Sequence, residues 1–427
     1  TAGDIEVSAT ASASVTSDAT AEGTVGFGDA STMGVSDASA SIAAEAVGID
    51  GGSGDDEINA NQRVNVASET SGNVTSTSRS TADVTFGSAS SGTVSDASVD
   101  VQAAATGVDG GLGADDISIG SLFDVSATSD GTVVSNAQSD ADSDFGSASS
   151  SSISDASASR RVSTVGVDGG AGADEIEVAV AAELLAQSRS TGSVETLSYA
   201  NADAGLFGDA YAGTATAASS EGAASAAGII GGDDTDTIRN FGSLSADADA
   251  TLTITSTAIS IADSTFGDAF AGAASDTTIA GRATASGITG DGGADEIETQ
   301  GKLSVNAAAV TDVQQVTVAL ADSTFGSANT VAGSRNTSRG AVVAAGIEGG
   351  DGGDTITAGG QIAVAGASDV TVNSLTVSGS GPASSDAQTL ATADVSGIDG
   401  GDGDDDISGM GEILVAAAPH VGVANRT

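Results

Sequence analysis

The sequence predicts an all-β protein, a parallel β-solenoid built from repeats of about 59 residues. Three observations predict it. An acidic Gly/Asp segment recurs seven times in register along the 427 residues. Between these segments small apolar and polar residues alternate with period two, the pattern of strands with one inward face. Only 3% of residues are aromatic, Trp is absent and Ala and Val carry much of the apolar content. Such side chains bury little area each, which suits a thin interior and not a thick globular core.

The seven segments are GIDGGSGDDEI from Gly48, GVDGGLGADDI from Gly107, GVDGGAGADEI from Gly166, GIIGGDDTDTI from Gly228, GITGDGGADEI from Gly287, GIEGGDGGDTI from Gly346 and GIDGGDGDDDI from Gly397. Their spacings are 59, 59, 62, 59, 59 and 51 residues. A Phe-Gly pair stands 21 residues ahead of each of the first six, at Phe27, Phe86, Phe145, Phe207, Phe266 and Phe325. Ten residues beyond the Phe comes an Asp, at Asp37, Asp96, Asp155 and Asp276, with Asp386 matching in the shortened last repeat. Ala217 and Arg335 interrupt that column.

These markers define one repeat domain over 1–427, with repeats at about 5–63, 64–122, 123–181, 182–243, 244–302, 303–361 and 362–412 and a terminal strand at 413–427. Val64, Val66 and Val74 recur in phase as Leu303, Val305 and Val313 and as Ile362, Val364 and Val372. The Ala-rich piece at 179–186 is the best helix candidate, yet it aligns with strand positions elsewhere. Repeats that cannot bury a face alone do so by stacking, with equivalent residues about 4.8 Å apart. One coil per repeat is the preferred arrangement, and a string of separate small β-modules is the alternative. The Phe column is expected to form a ladder inside the core.

Asp plus Glu number 59 against 11 Lys plus Arg, a net charge of −48. Nucleic acid and acidic membranes are thereby excluded as partners, since like charge repels at every approach. Adaptation to brine would account for the surplus but not for its register. There is no Cys, hence no disulfide and no thiol chemistry. No apolar run is long enough to cross a membrane as a helix. No basic or apolar leader is seen before the first repeat, so any signal peptide is expected to have been removed or to lie outside this sequence.

The segment GGSGDDEIN fits G-G-x-G-x-D-x-U-x, where U is apolar. Here the sequence resembles the RTX family, the hemolysin-type calcium-binding proteins. The match runs through Gly51, Gly52, Gly54, Asp56 and Ile58, and through Gly110, Gly111, Gly113, Asp115 and Ile117. It continues through Gly169, Gly170, Gly172, Asp174 and Ile176, through Gly349, Gly350, Gly352, Asp354 and Ile356, and through Gly400, Gly401, Gly403, Asp405 and Ile407. The resemblance covers the loops alone, and in typical members the nonapeptides follow one another directly. It implies a secreted protein in which turn carbonyls and the Asp hold Ca2+ between successive coils while the apolar residue starts a core strand.

Elementary chemistry points the same way. Calcium takes six to eight hard oxygens, and Gly turns several carbonyls toward one point. The metal-ligating candidates are Asp56, Asp115, Asp174, Asp236, Asp295, Asp354 and Asp405, with Asp50, Asp109, Asp168 and Asp399 beside them. The turn glycines Gly52, Gly54, Gly111, Gly113, Gly170, Gly172, Gly350, Gly352, Gly401 and Gly403 complete the set. Two loops deviate: Asp234 replaces the third Gly in the fourth, and Asp291 the second Gly in the fifth. Any single loop also reads as an Asp-Gly turn without an ion. Carboxylates stacked about 5 Å apart repel by roughly 1 kcal/mol even in water. One ion in each of six gaps would cancel 12 of the 48 charges and leave −36. The Asp37 column either holds further ions or accepts hydrogen bonds from turn amides.

Catalytic signatures are missing. His420 is the only His, there is no G-x-S-x-G elbow, and the Gly loops lack G-K-[ST]. The expected function is that of an extracellular, non-enzymatic, calcium-binding structural protein. Ile5, Val7 and Val15 precede Phe27 at the distances by which Val64, Val66 and Val74 precede Phe86. Ile413 and Val415 share that phase, which predicts head-to-tail assembly of the protein with itself into a fibre, sheath or layer. The alternative is the repeat region of an adhesin or of a larger secreted RTX protein.

Overall fold

A chain whose residues recur one repeat later, mostly 59 positions on, can satisfy its backbone by lying on itself. The computed structural model, which describes residues 3–409 and 411–427, shows that arrangement. In the first coil β1 (Ile5–Phe27) runs out, turns at Phe27, Gly28 and Asp29, and returns as β2 (Ala30–Asp50). The acidic loop then leads into the short β3 (Glu57–Ala60), and the next coil begins at Val64. Ile5 pairs with Val64 and so on to Phe27 with Phe86, a shift of one repeat. Eight strands stack in the outgoing sheet and seven each in the return and short sheets. Every neighbouring pair is parallel, as β1, β2 and β3 are to their counterparts. One repeat therefore makes one coil. The ladders run unbroken through all repeats, so the chain is a parallel β-solenoid and not a string of modules. At 179–182 the chain makes a turn closed by the Ala182 amide on the Ala179 carbonyl, and the strand Glu183–Ala204 follows.

Strands of 23 and 21 residues are several times the usual length. At about 3.3 Å per residue the flattened coil is roughly 75 Å wide. Its interior changes along that width. Beside the acidic loops the short sheet adds a third wall, and there the core holds Val64, Phe123, Leu184, Leu244 and Leu303 against Ile117, Ile176, Ile238 and Ile297. Toward the Phe-Gly turns the core thins to Ala, such as Ala82, Ala141, Ala202 and Ala262. In the thin zone hydroxyls span the gap between sheets. Ser36 donates to the Ser17 carbonyl at 2.7 Å, Ser95 to Ser76 at 2.9 Å and Ser154 to Ser135 at 2.6 Å. A single serine reaching the opposite backbone means the sheets lie well inside the usual separation of about 10 Å.

Mid-coil, bulk is exchanged between the sheets. The outgoing sheet stacks Gly72, Gly131 and Gly192 and then Leu252, Thr311 and Val370. The return sheet stacks Ile42, Val101 and Arg160 and then Gly222, Gly281 and Gly340. Large faces small throughout, and the large side chain changes sheet after the third coil. A Cβ on Gly72 would lie 3.0 Å from Ile42 Cδ1, and one on Gly222 2.6 Å from Leu252 Cδ2. Arg160 is wholly buried against Gly131 and Gly192. It donates to Ser220 Oγ at 2.9 Å and to the Gly131 carbonyl at 3.0 Å, while its Nε has no partner. Burial pulls its pKa down to about 10, with Asp130 opposing.

The Phe column differs from expectation. The six rings do stack, with centroids 4.9, 4.7, 6.5, 5.5 and 4.8 Å apart. They are nevertheless 36% to 81% exposed. Phe27 keeps the inward phase of β1, but the chain turns at that residue and no strand continues over the ring. The ladder therefore lies along the outer edge of the solenoid.

Two outcomes test this packing. Replacing the lone buried guanidinium by Arg160→Met is expected to hold or raise stability to urea, because burying a charge costs more than its hydrogen bonds return. Arg160→Ala should lose about 2 kcal/mol or more through the cavity. Gly222→Leu should cost about 1–3 kcal/mol by overpacking. Combined with Leu252→Gly it should cost at least about 1 kcal/mol less than the sum of the single changes, since the two sites share one space.

Candidate functional site: the acidic loop ladder

Each loop is a tight turn whose second and third glycines need left-handed backbone. Gly52 and Gly54 have φ of 90° and 114°, Gly111 and Gly113 95° and 132°, and Gly170 and Gly172 96° and 133°. Gly350 and Gly352 follow at 107° and 148°, and Gly401 and Gly403 at 90° and 149°. Asp234 and Asp291, which replace glycines here, are the only described non-Gly residues at positive φ, at 79° and 70°. Aspartate bears that conformation with little strain, so the two irregular loops keep the turn.

Successive loops are joined directly. The Gly51 amide donates to the Asp109 carbonyl at 2.8 Å and the Gly54 amide to the Leu112 carbonyl at 2.7 Å, and later loops repeat both bonds. The conserved phase of the apolar residue buries Ile58, Ile117, Ile176, Ile238, Ile297 and Ile356.

The loop aspartates form a second ladder inside this turn. Asp115 Oδ1 accepts from the Asp56 amide at 2.8 Å, Asp174 from Asp115 at 2.8 Å and Asp236 from Asp174 at 2.8 Å. Asp295 accepts from Asp236 at 2.8 Å, Asp354 from Asp295 at 2.9 Å and Asp405 from Asp354 at 3.0 Å. The five central carboxylates are 0–2% exposed. The second oxygen behaves differently. Oδ2 of Asp56, Asp115, Asp174, Asp236, Asp295 and Asp354 is buried without any hydrogen-bond partner. It faces the first loop glycine, where a Cβ on Gly110, Gly169 or Gly231 would come within 2.8, 2.7 or 2.6 Å. That position tolerates no side chain while the carboxylate is in place.

Burial raises Asp174 to about 6, and neighbouring Asp115, Asp168 and Asp234 push the same way against the Asp115 amide bond. Burial likewise lifts Asp236 to about 7, with Asp295, Asp174 and Asp234 adding to it against the Asp174 amide bond. The second candidate row pairs Asp50 with Asp109 and Asp109 with Asp168, then passes through Ile230, Thr289 and Glu348 to Asp399. Asp399 Oδ1 accepts from the Gly401 amide at 3.2 Å and so closes its own turn. Burial raises Asp168 and Glu348 as well, helped by Asp109 and Asp399 respectively.

Among the described residues no three acidic or histidine side chains converge on one point. A calcium ion at this ladder would therefore draw most of its oxygens from turn carbonyls and few from carboxylates. The donor set fits a hard cation on one observation, the row of buried oxygens lacking any partner.

The Asp37 column lies away from this site, exposed on the outer face of the return sheet, where Asp276 pairs with Arg335 at 3.8 Å. A further acidic row was missed in the sequence. Asp83, Asp142, Asp203, Asp263 and Asp322 stack on the outgoing sheet beside the Phe turns. Burial raises Asp142 to about 6, and Asp203, Asp83, Asp144 and Asp140 reinforce the shift. Its signal is an Asp three residues before Phe86, Phe145, Phe266 and Phe325, and four before Phe207.

No family model, no curated protein and no solved structure matches the chain. What the fold and the loops define is a class: a parallel β-solenoid with one glycine-turned aspartate per coil.

The raised values set a pH dependence. A carboxyl whose pKa is raised on folding binds protons that the unfolded chain releases. That stabilisation is complete below the ordinary value of 3.8 and is lost as pH climbs through about 6 to 7. In chelator the melting temperature should therefore fall between about pH 4 and pH 7, as scanning calorimetry would record. A flat profile would show that the ladder is not strained by its charge.

Proposed function

We propose that this chain is a calcium-stabilised structural rod of an extracellular or cell-surface assembly, without catalytic activity. The observation that carries the reading is the file of six buried Asp Oδ2 atoms, each unpartnered and one coil from the next. Direct amide bonds compensate one oxygen of Asp115, Asp174, Asp236, Asp295 and Asp354, and a cation supplies what the other lacks. A net charge of −48 provides the general attraction for divalent ions. The resemblance of the loops to RTX nonapeptides supports calcium in particular.

The proposal extends to self-association. The strands β1 and Glu412–Arg426 lie at opposite edges of the outgoing sheet. Edge strands present ladder groups ready to pair with another copy. A second reading, the repeat region of an adhesin or of a larger secreted protein, is favoured by the exposed aromatic edge.

A calcium titration followed by circular dichroism, calorimetry and light scattering tests the rod. Micromolar to millimolar calcium should raise the melting temperature well above that in chelator, cancel its fall toward pH 7, and promote end-to-end growth. Asp236→Asn keeps an Oδ1 to accept from the Asp174 amide but removes the charge. It should melt higher than the parent in chelator at pH 7 and bind at least one calcium fewer. An equal response to magnesium or to sodium chloride of matched ionic strength would leave only brine adaptation.

A further inference from the structure

The edge opposite the acidic loops carries a surface that the rod does not require. Six Phe rings run along the solenoid axis with centroid steps of 4.7–6.5 Å. The pitch of an α-helix, 5.4 Å, falls within that range. Leu206, Tyr211 and Phe270, also exposed, widen the apolar stripe at the fourth and fifth coils. Contiguous apolar surface of this kind marks an interaction site more often than chance.

Charge flanks the stripe on both sides. The row Asp83, Asp142, Asp203, Asp263 and Asp322 lies three or four residues before the rings, roughly 10 Å away along the strands. Among the described residues no ion pair reaches this row. Two residues after the rings come Asp29, Asp209 and Asp268. Each spends one oxygen on the amide of the next coil, at Ser88, Asp268 and Ser327.

From this combination we infer that the Phe edge docks a basic amphipathic α-helix of another protein, lying parallel to the solenoid axis. One helical turn meets each coil, and five turns, about 18 residues, cover the six rings. Apolar side chains at i, i+3, i+4 and i+7 rest on the rings. Lys or Arg on the two shoulders reach the aspartate rows, and Arg also gains from the ring faces. A second copy of this chain is disfavoured as occupant, because an edge-to-edge pair would set one aspartate row against another. The inference is independent of calcium at the loops, which lie at the other end of the coil.

The test uses the full chain, in calcium and in chelator, with a fluorescein-labelled 18-residue Leu/Lys peptide of helical amphipathic spacing as probe. Fluorescence anisotropy should show saturable binding, and circular dichroism a gain of helix in the bound peptide. A scrambled peptide of the same composition should bind at least tenfold more weakly. The triple variant Phe86→Ser, Phe145→Ser, Phe266→Ser should lose at least tenfold in affinity. Should that variant fail to fold, Asp142→Asn, Asp203→Asn, Asp263→Asn is expected to lose about fivefold and flatten the salt dependence. Equal binding of the scrambled peptide, or no binding of either, overturns the inference. Concentration-dependent dimers in sedimentation that vanish with either triple variant would overturn it as well, by assigning the edge to a second copy.

Discussion

Register governs this molecule. Because each strand pairs with its equivalent one repeat away, every side chain lies on its own counterpart in the next coil. Self-stacking suits some residues and penalises others. Phe rings gain from it, with planes within 5° to 27° of parallel. Branched aliphatics fill a wall, as the Ile of the short sheet do. Aspartate is the residue for which it is worst, since like charges repeat at the ladder spacing. From Asp115 to Asp405 the loops answer with an amide of the preceding coil aimed at one oxygen of each carboxylate. That bond needs the turn to be tight, the turn needs left-handed glycines, and the carboxylate's other oxygen needs a neighbour without Cβ. The glycine and aspartate content of the repeat thus follows from one geometric demand.

The same register explains how so thin an interior holds. Apolar area per residue is small, so the ladder hydrogen bonds and the hydroxyl contacts between sheets carry an unusual share of the order. A narrow gap leaves no slack in volume. Where the return sheet bears Ile42, Val101 and Arg160 the outgoing sheet must bear glycine, and where it bears glycine the outgoing sheet must fill the space. Arg160 marks the extreme of this exchange: its length fills room left by two glycines, at the cost of burying a charge that only a hydroxyl and a carbonyl receive.

Much of this was legible in the sequence, because a period of 59 is stated openly by the loop and Phe markers. Strand alternation, one coil per repeat and the buried phase of Ile58 and its counterparts all follow from local pattern. The Phe column misled for a local reason too: its phase is inward, and only the position of the turn shows that nothing covers it. The glycine exchange was illegible because Gly131 and Arg160 are 29 residues apart and meet only across the two sheets. Amide bonding is one of two roles the sequence suggests for the Asp37 column; the structure also gives it to the loop carboxylates from Asp115 to Asp405. That assignment depends on which way a loop amide points, which composition does not encode.

The two ends of the coil divide the acidic surplus in a way that bears on function. At the loop end Asp115, Asp174, Asp236, Asp295 and Asp354 are buried beneath exposed neighbours such as Asp55, Glu57 and Asp116; one oxygen of each is bound and the other is enclosed, so only something as small as a bare ion could answer that charge. At the Phe edge the row from Asp83 to Asp322 lies on the outer face, half-buried at Asp203 and exposed elsewhere, and borders an apolar stripe, so there a large, amphipathic counter-charge fits. On the proposed reading the loop edge sets the stability of the rod and the Phe edge recognises a partner, and register repeats each feature from coil to coil.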